Sequence, residues 1–134
     1  MKSTLKVGLS STEHFTVDEA RCIGFMGKEG MVYATPRMVL DVEHACRNLL
    51  LEHLDDVEDS VGAHVSIDHL AATPLGLDVA IDVRLVDIEK RRVTFEFSVR
   101  DSVEDCGRGK HVRFVADKAK SFERIKAKRA KAGL

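Results

Sequence analysis

Residues 36–54 read PRMVLDVEHACRNLLLEHL, and this stretch decides the fold. Thr35 before it is a good helix cap, and Pro36 suits the first helical position, where its missing N–H costs nothing. At about 100° per residue, Met38, Val39, Val42, Cys46, Leu49 and Leu50 fall in one stripe. Leu40 and Leu51 lie on the opposite side, so the spacing predicts a helix that is apolar almost all round. A helix of that kind is expected to be wrapped by other elements and not laid on a surface. Glu43 stands at the margin of the stripe, among Val39, Cys46 and Leu50, which is an unusual place for a carboxylate.

Downstream the period changes from helical to two. Val61, Ala63, Val65, Ile67 and His69 are expected on one strand face, with Gly62, His64, Ser66 and Asp68 on the other. After the turn ATPLG, Leu77, Val79, Ile81, Val83 and Leu85 alternate with Asp78, Ala80, Asp82 and Arg84. The charged EKRR stretch reads as a hairpin turn, and Val93, Phe95, Phe97 and Val99 then alternate with polar residues. A last strand is expected near 108–116 with Val112 and Phe114 on one face, and an early one near His14–Val17. Residues 18–34 read as irregular. One long helix followed by four strands on short connections is an α+β pattern with antiparallel neighbours. A long central helix wrapped by a curved antiparallel sheet is the hot-dog arrangement. Its exposed sheet edges favour pairing of two subunits, as a homodimer and in some cases a tetramer.

With 134 residues the chain suits one domain of the usual size, roughly 100–150 residues. We divide it into a hot-dog domain at 1–117 and a basic helix or tail at 118–134. The start, MKSTLKVGLSST, has no apolar signal segment, no run approaches the length of a membrane span, and the three cysteines lack metal or disulfide spacing. A cytoplasmic protein without membrane or nucleic-acid partners is expected. The formal charge of −1 conceals a tail from Asp117 to Leu134 that carries +5 and a body that carries −6. The tail is either a solvated helix or a patch for phosphate groups.

Three residues carry candidate chemistry. Thr35 sits where a helix N-terminus favours developing negative charge, Glu43 borders the core, and His69 lies in line with Val65 and Ile67. Singly, each has an ordinary reading as a cap, a salt-bridged flank and a core histidine. Together, a hydroxyl, a carboxylate and an imidazole make a set for acyl transfer. His44, His53 and His64 lack a ligand pattern, so no metal is expected.

VYATPRMVLDVEHAC, VSIDHLAATPLGLDV and GRGKHVRF, in that order, resemble the fluoroacetyl-CoA thioesterase-like group of hot-dog thioesterases. The resemblance implies a dimer with active sites near the subunit interface, hydrolysing an acyl-CoA thioester without metal or prosthetic group. It implies Thr35, Glu43 and His69 as the catalytic set, Gly62 where backbone passes the acyl group, and Arg113 as a phosphate or CoA contact. Where the fluoroacetyl-selective enzyme has a longer aromatic cap, this chain has the compact RCIGFMGKEGMVY, whose aromatics, Phe25 and Tyr33, are the expected substrate contacts. Pro36 and Arg37 also depart from the family's pattern. These departures favour short- or medium-chain acyl-CoA hydrolysis over fluoroacetyl selectivity. Two other uses of the fold compete: a non-catalytic acyl-CoA-binding domain, and a hydratase or dehydratase indifferent to the Thr35 hydroxyl.

Overall fold

The computed structural model describes residues 1–134. In chain order it contains β1 (Ser10–Thr16), β2 (Cys22–Ile23), β3 (Val32–Tyr33), α1 (Thr35–Leu51), β4 (Glu58–His69), β5 (Asp78–Glu89), β6 (Arg92–Asp101), β7 (Asp105–Asp117) and α2 (Lys118–Lys131). Five strands form one antiparallel sheet in the order β1-β5-β6-β7-β4, and β2 pairs with β3 in a small separate ribbon. Helix α1 touches β4 and β1, the two edges, as well as β5 and β7 between them. A sheet that meets one helix with both of its edges must curl around it, which is the hot-dog arrangement.

The core lies between α1 and the concave face. Met38, Val42, Ala45, Cys46, Leu49 and Leu50 of the helix are buried. They meet Val79, Ile81, Val83 and Leu85 of β5 and Val93, Phe95, Phe97 and Val99 of β6, the residues that the alternation placed inward. Between β5 and β6, Lys90 takes a left-handed conformation with φ of 56°, so a charged hairpin turn closes without glycine.

Several expectations need correction. The helix begins at Thr35 and ends at Leu51, with Leu54 buried beyond it. The N-cap is Ala34, and Thr35 is the first helical residue, so its hydroxyl is not used as a cap. The helix is also not enclosed all round in one chain, since Leu40 is exposed and Val39 and Leu51 are half-buried. Strand β4 does not keep one face. A bulge between Gly62 and His64 reverses the alternation, so Glu58, Ser60 and Gly62 point inward before it and Val65, Ile67 and His69 after it. Val61 and Ala63 are exposed as a result. In β7 the inward residues are His111, Arg113 and Val115, while Phe114 is exposed.

The segment expected to be irregular contributes β2 and β3. Its connection to the helix is polar: Arg21 Nε and the Tyr33 hydroxyl both donate to Asp41 Oδ2, at 2.9 and 2.5 Å, and Arg37 Nε donates to the carbonyl of Ala20 at 2.8 Å. Residues 118–131 form α2, which buries none of its residues. No helix is long and apolar enough to cross a membrane.

Candidate active site

Thr35 Oγ1 and His69 Nδ1 are 2.7 Å apart. The helix start positions the first and the end of β4 the second. Because Ala34 is the cap, the carbonyl of Ala34 takes the N–H groups of Arg37 and Met38, both at 3.0 Å. Pro36 has no N–H, so Thr35 offers the free backbone donor at this helix end, beside its own hydroxyl. His69 Nε2 is buried and has no partner.

The pair borders a cavity of about 730 Å³ with mostly apolar walls. Ile23, Val32, Leu70 and Ala71 contribute to these walls, which suit a hydrocarbon chain. Of the two aromatics expected here, Phe25 is 88% exposed at the rim. Tyr33 lines the cavity while its body is buried, its hydroxyl bound to Asp41 and its ring edge-on to Phe15 at 5.8 Å. Burial, with the Asp41 carboxylate beside it, pushes the Tyr33 phenol far above its ordinary value. It stays a neutral wall.

Glu43 does not meet this pair within one chain. It lies eight residues further along α1, roughly 12 Å by helical rise. Its carboxylate sits against Gly62, where a Cβ would come within 2.8 Å of Glu43 Oε1. No group of the chain donates a hydrogen bond to it, so a half-buried acceptor is left open there. Thr35 with His69, and Glu43 with Gly62, are therefore two stations along the seam between α1 and the free edge of the sheet.

Arg113 is not at the surface. It is 4% exposed, stands across from Gly62 in the β4–β7 register, and donates through Nε and Nη2 to Ser60 Oγ (2.7 Å) and Ser60 O (2.9 Å). Its Nη1 lies 3.1 Å from His111 Nε2. A guanidinium engaged in this way within the interior is not presented to a phosphate at the surface. Burial lowers its pKa from the ordinary arginine range, and the nearby Glu43 carboxylate opposes that effect. The sequence reading missed Ser60, His111 and Asp41. The first two are hidden by the bulge and by the face assigned to β7, and Asp41 looked like a polar flank of the helix.

A curled antiparallel sheet around one helix defines a hot-dog domain, and its hydroxyl–imidazole pair at the helix start stands beside an apolar cavity. The model of the fluoroacetyl-CoA-specific thioesterase family matches residues 17–119, and the chain belongs to that family. It is 31% identical to a fluoroacetyl-CoA thioesterase of Streptantibioticus cattleyicolor over 135 aligned residues, covering 96% of this chain and 97% of the relative. A solved structure of a fluoroacetyl-CoA thioesterase superposes with a TM-score of 0.86 at 29% identity, covering 94% of this chain and 98% of the other. A mutant of a fluoroacetyl-CoA-specific thioesterase, solved in complex with fluoroacetate and CoA, gives 0.80 at 31% identity over 87% and 98% of the two chains.

Proposed function

We propose that this protein is an acyl-CoA thioesterase that hydrolyses a short- or medium-chain acyl-CoA to the free acid and CoA. The observation that carries this reading is the 2.7 Å contact between Thr35 Oγ1 and His69 Nδ1 at the wall of an apolar cavity. The thioester carbonyl enters beside the helix start. The Thr35 hydroxyl, or a water held by it, attacks the carbonyl carbon, and His69 accepts the proton released. Negative charge developing on the carbonyl oxygen is met by the Thr35 N–H and the helix N-terminus. Collapse breaks the carbon–sulfur bond, and the imidazolium returns its proton to the CoA thiolate. Where the attacking oxygen was that of Thr35, a water deprotonated by His69 then attacks the acyl-Thr35 ester, and its collapse returns the proton to Thr35 and frees the acid. Glu43, roughly 12 Å along the helix from the pair within one chain, would position or activate the nucleophile from across the dimer seam, and Gly62 lets backbone approach the acyl group. Phe25 and Tyr33 bound the acyl cavity. This route needs no metal or prosthetic group.

We further propose a cytoplasmic homodimer. Strand β4 is a sheet edge, and the open carboxylate of Glu43 and the orphaned His69 Nε2 both lie along the seam beside it. Pairing through β4 would close that seam around the substrate. Cys22, Cys46 and Cys106 are free thiols, which suits a reducing compartment. For the CoA phosphates we propose a groove of about 710 Å³ lined by Lys90, Arg91, Arg92, Lys120 and Arg124, five cations against the two acids Glu89 and Asp117 in the same walls.

The test is thiol release from a panel of acyl-CoAs, fluoroacetyl-CoA included. Hydrolysis of a short or medium acyl-CoA is expected. Tight binding of CoA esters with no thiol release across the panel would make the protein a binding domain. Hydration of an enoyl-CoA that survives Thr35→Ala would make it a hydratase.

A further inference from the structure

His111 is fully buried, and both of its ring nitrogens are in use. Nδ1 lies 2.9 Å from the carbonyl oxygen of His64, which can only accept, so Nδ1 carries the proton. Nε2 lies 3.1 Å from Arg113 Nη1, which can only donate, so Nε2 is a bare lone pair. The two contacts together allow one form of the ring, neutral and protonated on Nδ1. Ser60 serves the other two nitrogens of Arg113, and His111 supplies the acceptor for the third. Without that acceptor, a buried guanidinium would be left with an unsatisfied donor and a reason to turn away.

What stands over this pair is the open carboxylate. The point where a Gly62 Cβ would lie is 2.8 Å from Glu43 Oε1 and 3.4 Å from His111 Cε1. Glu43 is also the acid whose field acts most strongly on Arg113.

We propose that His111 is a positioning residue that fixes Arg113 in place, so that a buried positive charge and a smooth floor at Gly62 hold the Glu43 carboxylate aimed at the substrate. This rests on reading Glu43 as the acting carboxylate. The arrangement works in the neutral ring alone, since a proton on Nε2 would set donor against donor and cation against cation. The groups that face the ring are Arg113 on its own strand, His64 on β4 and Glu43 on α1; burial, reinforced by Arg113, keeps its pKa below the ordinary histidine value.

The experiment is a double-mutant cycle on the full chain, with acetyl-CoA and butyryl-CoA as substrates and thermal melting measured in parallel. His111→Phe should lower kcat about tenfold or more, the scale of a coupled neighbour, with KM within about twofold. His111→Gln, whose amide can both donate and accept, should recover part of that loss. In the Glu43→Gln background, His111→Phe should cost nothing further. The proposal is overturned if the two losses multiply, if kcat per folded enzyme is unchanged in His111→Phe, or if His111→Gln is as slow as His111→Phe. Should His111→Phe fail to fold, the cycle of His111→Gln with Glu43→Gln decides by the same non-additivity. A Glu43→Gln single variant with unchanged kcat would remove the underlying reading of Glu43, and it is recognised without reference to His111.

Discussion

Thr35 and His69 are 34 positions apart in the chain, and their side chains meet at 2.7 Å because α1 starts where β4 ends. The hydroxyl is free for this contact because Ala34, and not Thr35, caps the helix. Removing either partner removes the proton path. His69→Ala is expected to lower kcat by roughly 10²-fold or more, the usual scale for a general acid–base group. Thr35→Val should have a comparable effect, while Thr35→Ser keeps a hydroxyl and should retain most activity. Thiol-release kinetics on the three variants decide it. A Thr35→Val enzyme as fast as wild type would show that attack does not pass through this hydroxyl.

Gly62 separates site geometry from stability. Its backbone is not in the left-handed region, so an added methyl group causes no backbone strain. The atom it would strike first is Glu43 Oε1 at 2.8 Å, the far end of a flexible side chain. The carboxylate can swing away with little cost to folding. Gly62→Ala is therefore expected to lose less than about 1 kcal/mol of stability yet to lose activity in proportion to how far Glu43 is displaced. Melting and kcat measured on one preparation test this, and equal activity would show that the position of Glu43 does not matter.

The parts of this molecule that obey a simple period were legible in the sequence. Met38, Val42, Cys46 and Leu49 on the helix, and the inward rows of β5 and β6, are buried as spacing requires. The sequence reading went astray where one extra residue changes the period. The bulge beyond Gly62 turns Ser60 and Gly62 inward, so the alternation that correctly placed His69 misplaced Val61 and Ala63. Buried polar groups were also hard to foresee, because Arg113 and Asp41 are stabilised by partners distant in sequence, Ser60 and Arg21 among them. Thr35, Glu43 and His69 were singled out as residue types that could act together, and of the three the structure brings only Thr35 and His69 into contact. That the second stands apart from the other two follows from helical rise, eight residues on, which a list of candidates does not convey.

Acid sensitivity should include a step from the clamp between α1 and β4. Arg47 Nε and Nη2 hold Asp59 at 2.9 and 2.6 Å, and this pairing lowers the carboxyl pKa from its ordinary value. A group depressed in the folded state binds its proton less readily there than in the unfolded chain. Its stabilisation is therefore present above the unfolded carboxylate pKa, near 4, and is lost as pH falls through the folded value. Both partners are partly exposed, so the effect is modest and screened by salt. Melting temperature followed from pH 6 to pH 2 should fall less steeply in Asp59→Asn than in the wild type. Identical slopes would mean that this pair contributes nothing to acid stability.

The basic C-terminal helix offers the clearest separation of stability from binding. Helix α2 buries none of its residues, and Asp117, which caps it through the N–H of Lys120 at 3.0 Å, already belongs to β7. Ending the chain after Asp117 should accordingly leave the melting temperature close to that of the full chain. The same cut removes Lys120 and Arg124 from the groove they share with Arg92, along with the net +6 carried by residues 118–134. If this surface holds the CoA phosphates, KM for an acyl-CoA rises at low ionic strength. The difference from the full chain then shrinks as salt shortens the Debye length from about 30 Å at 0.01 M to about 8 Å at 0.15 M. A short N-acetylcysteamine thioester has no phosphates and should be turned over equally by both forms. A KM for acyl-CoA that is unchanged at low salt would leave α2 as a solvated helix with no part in substrate binding.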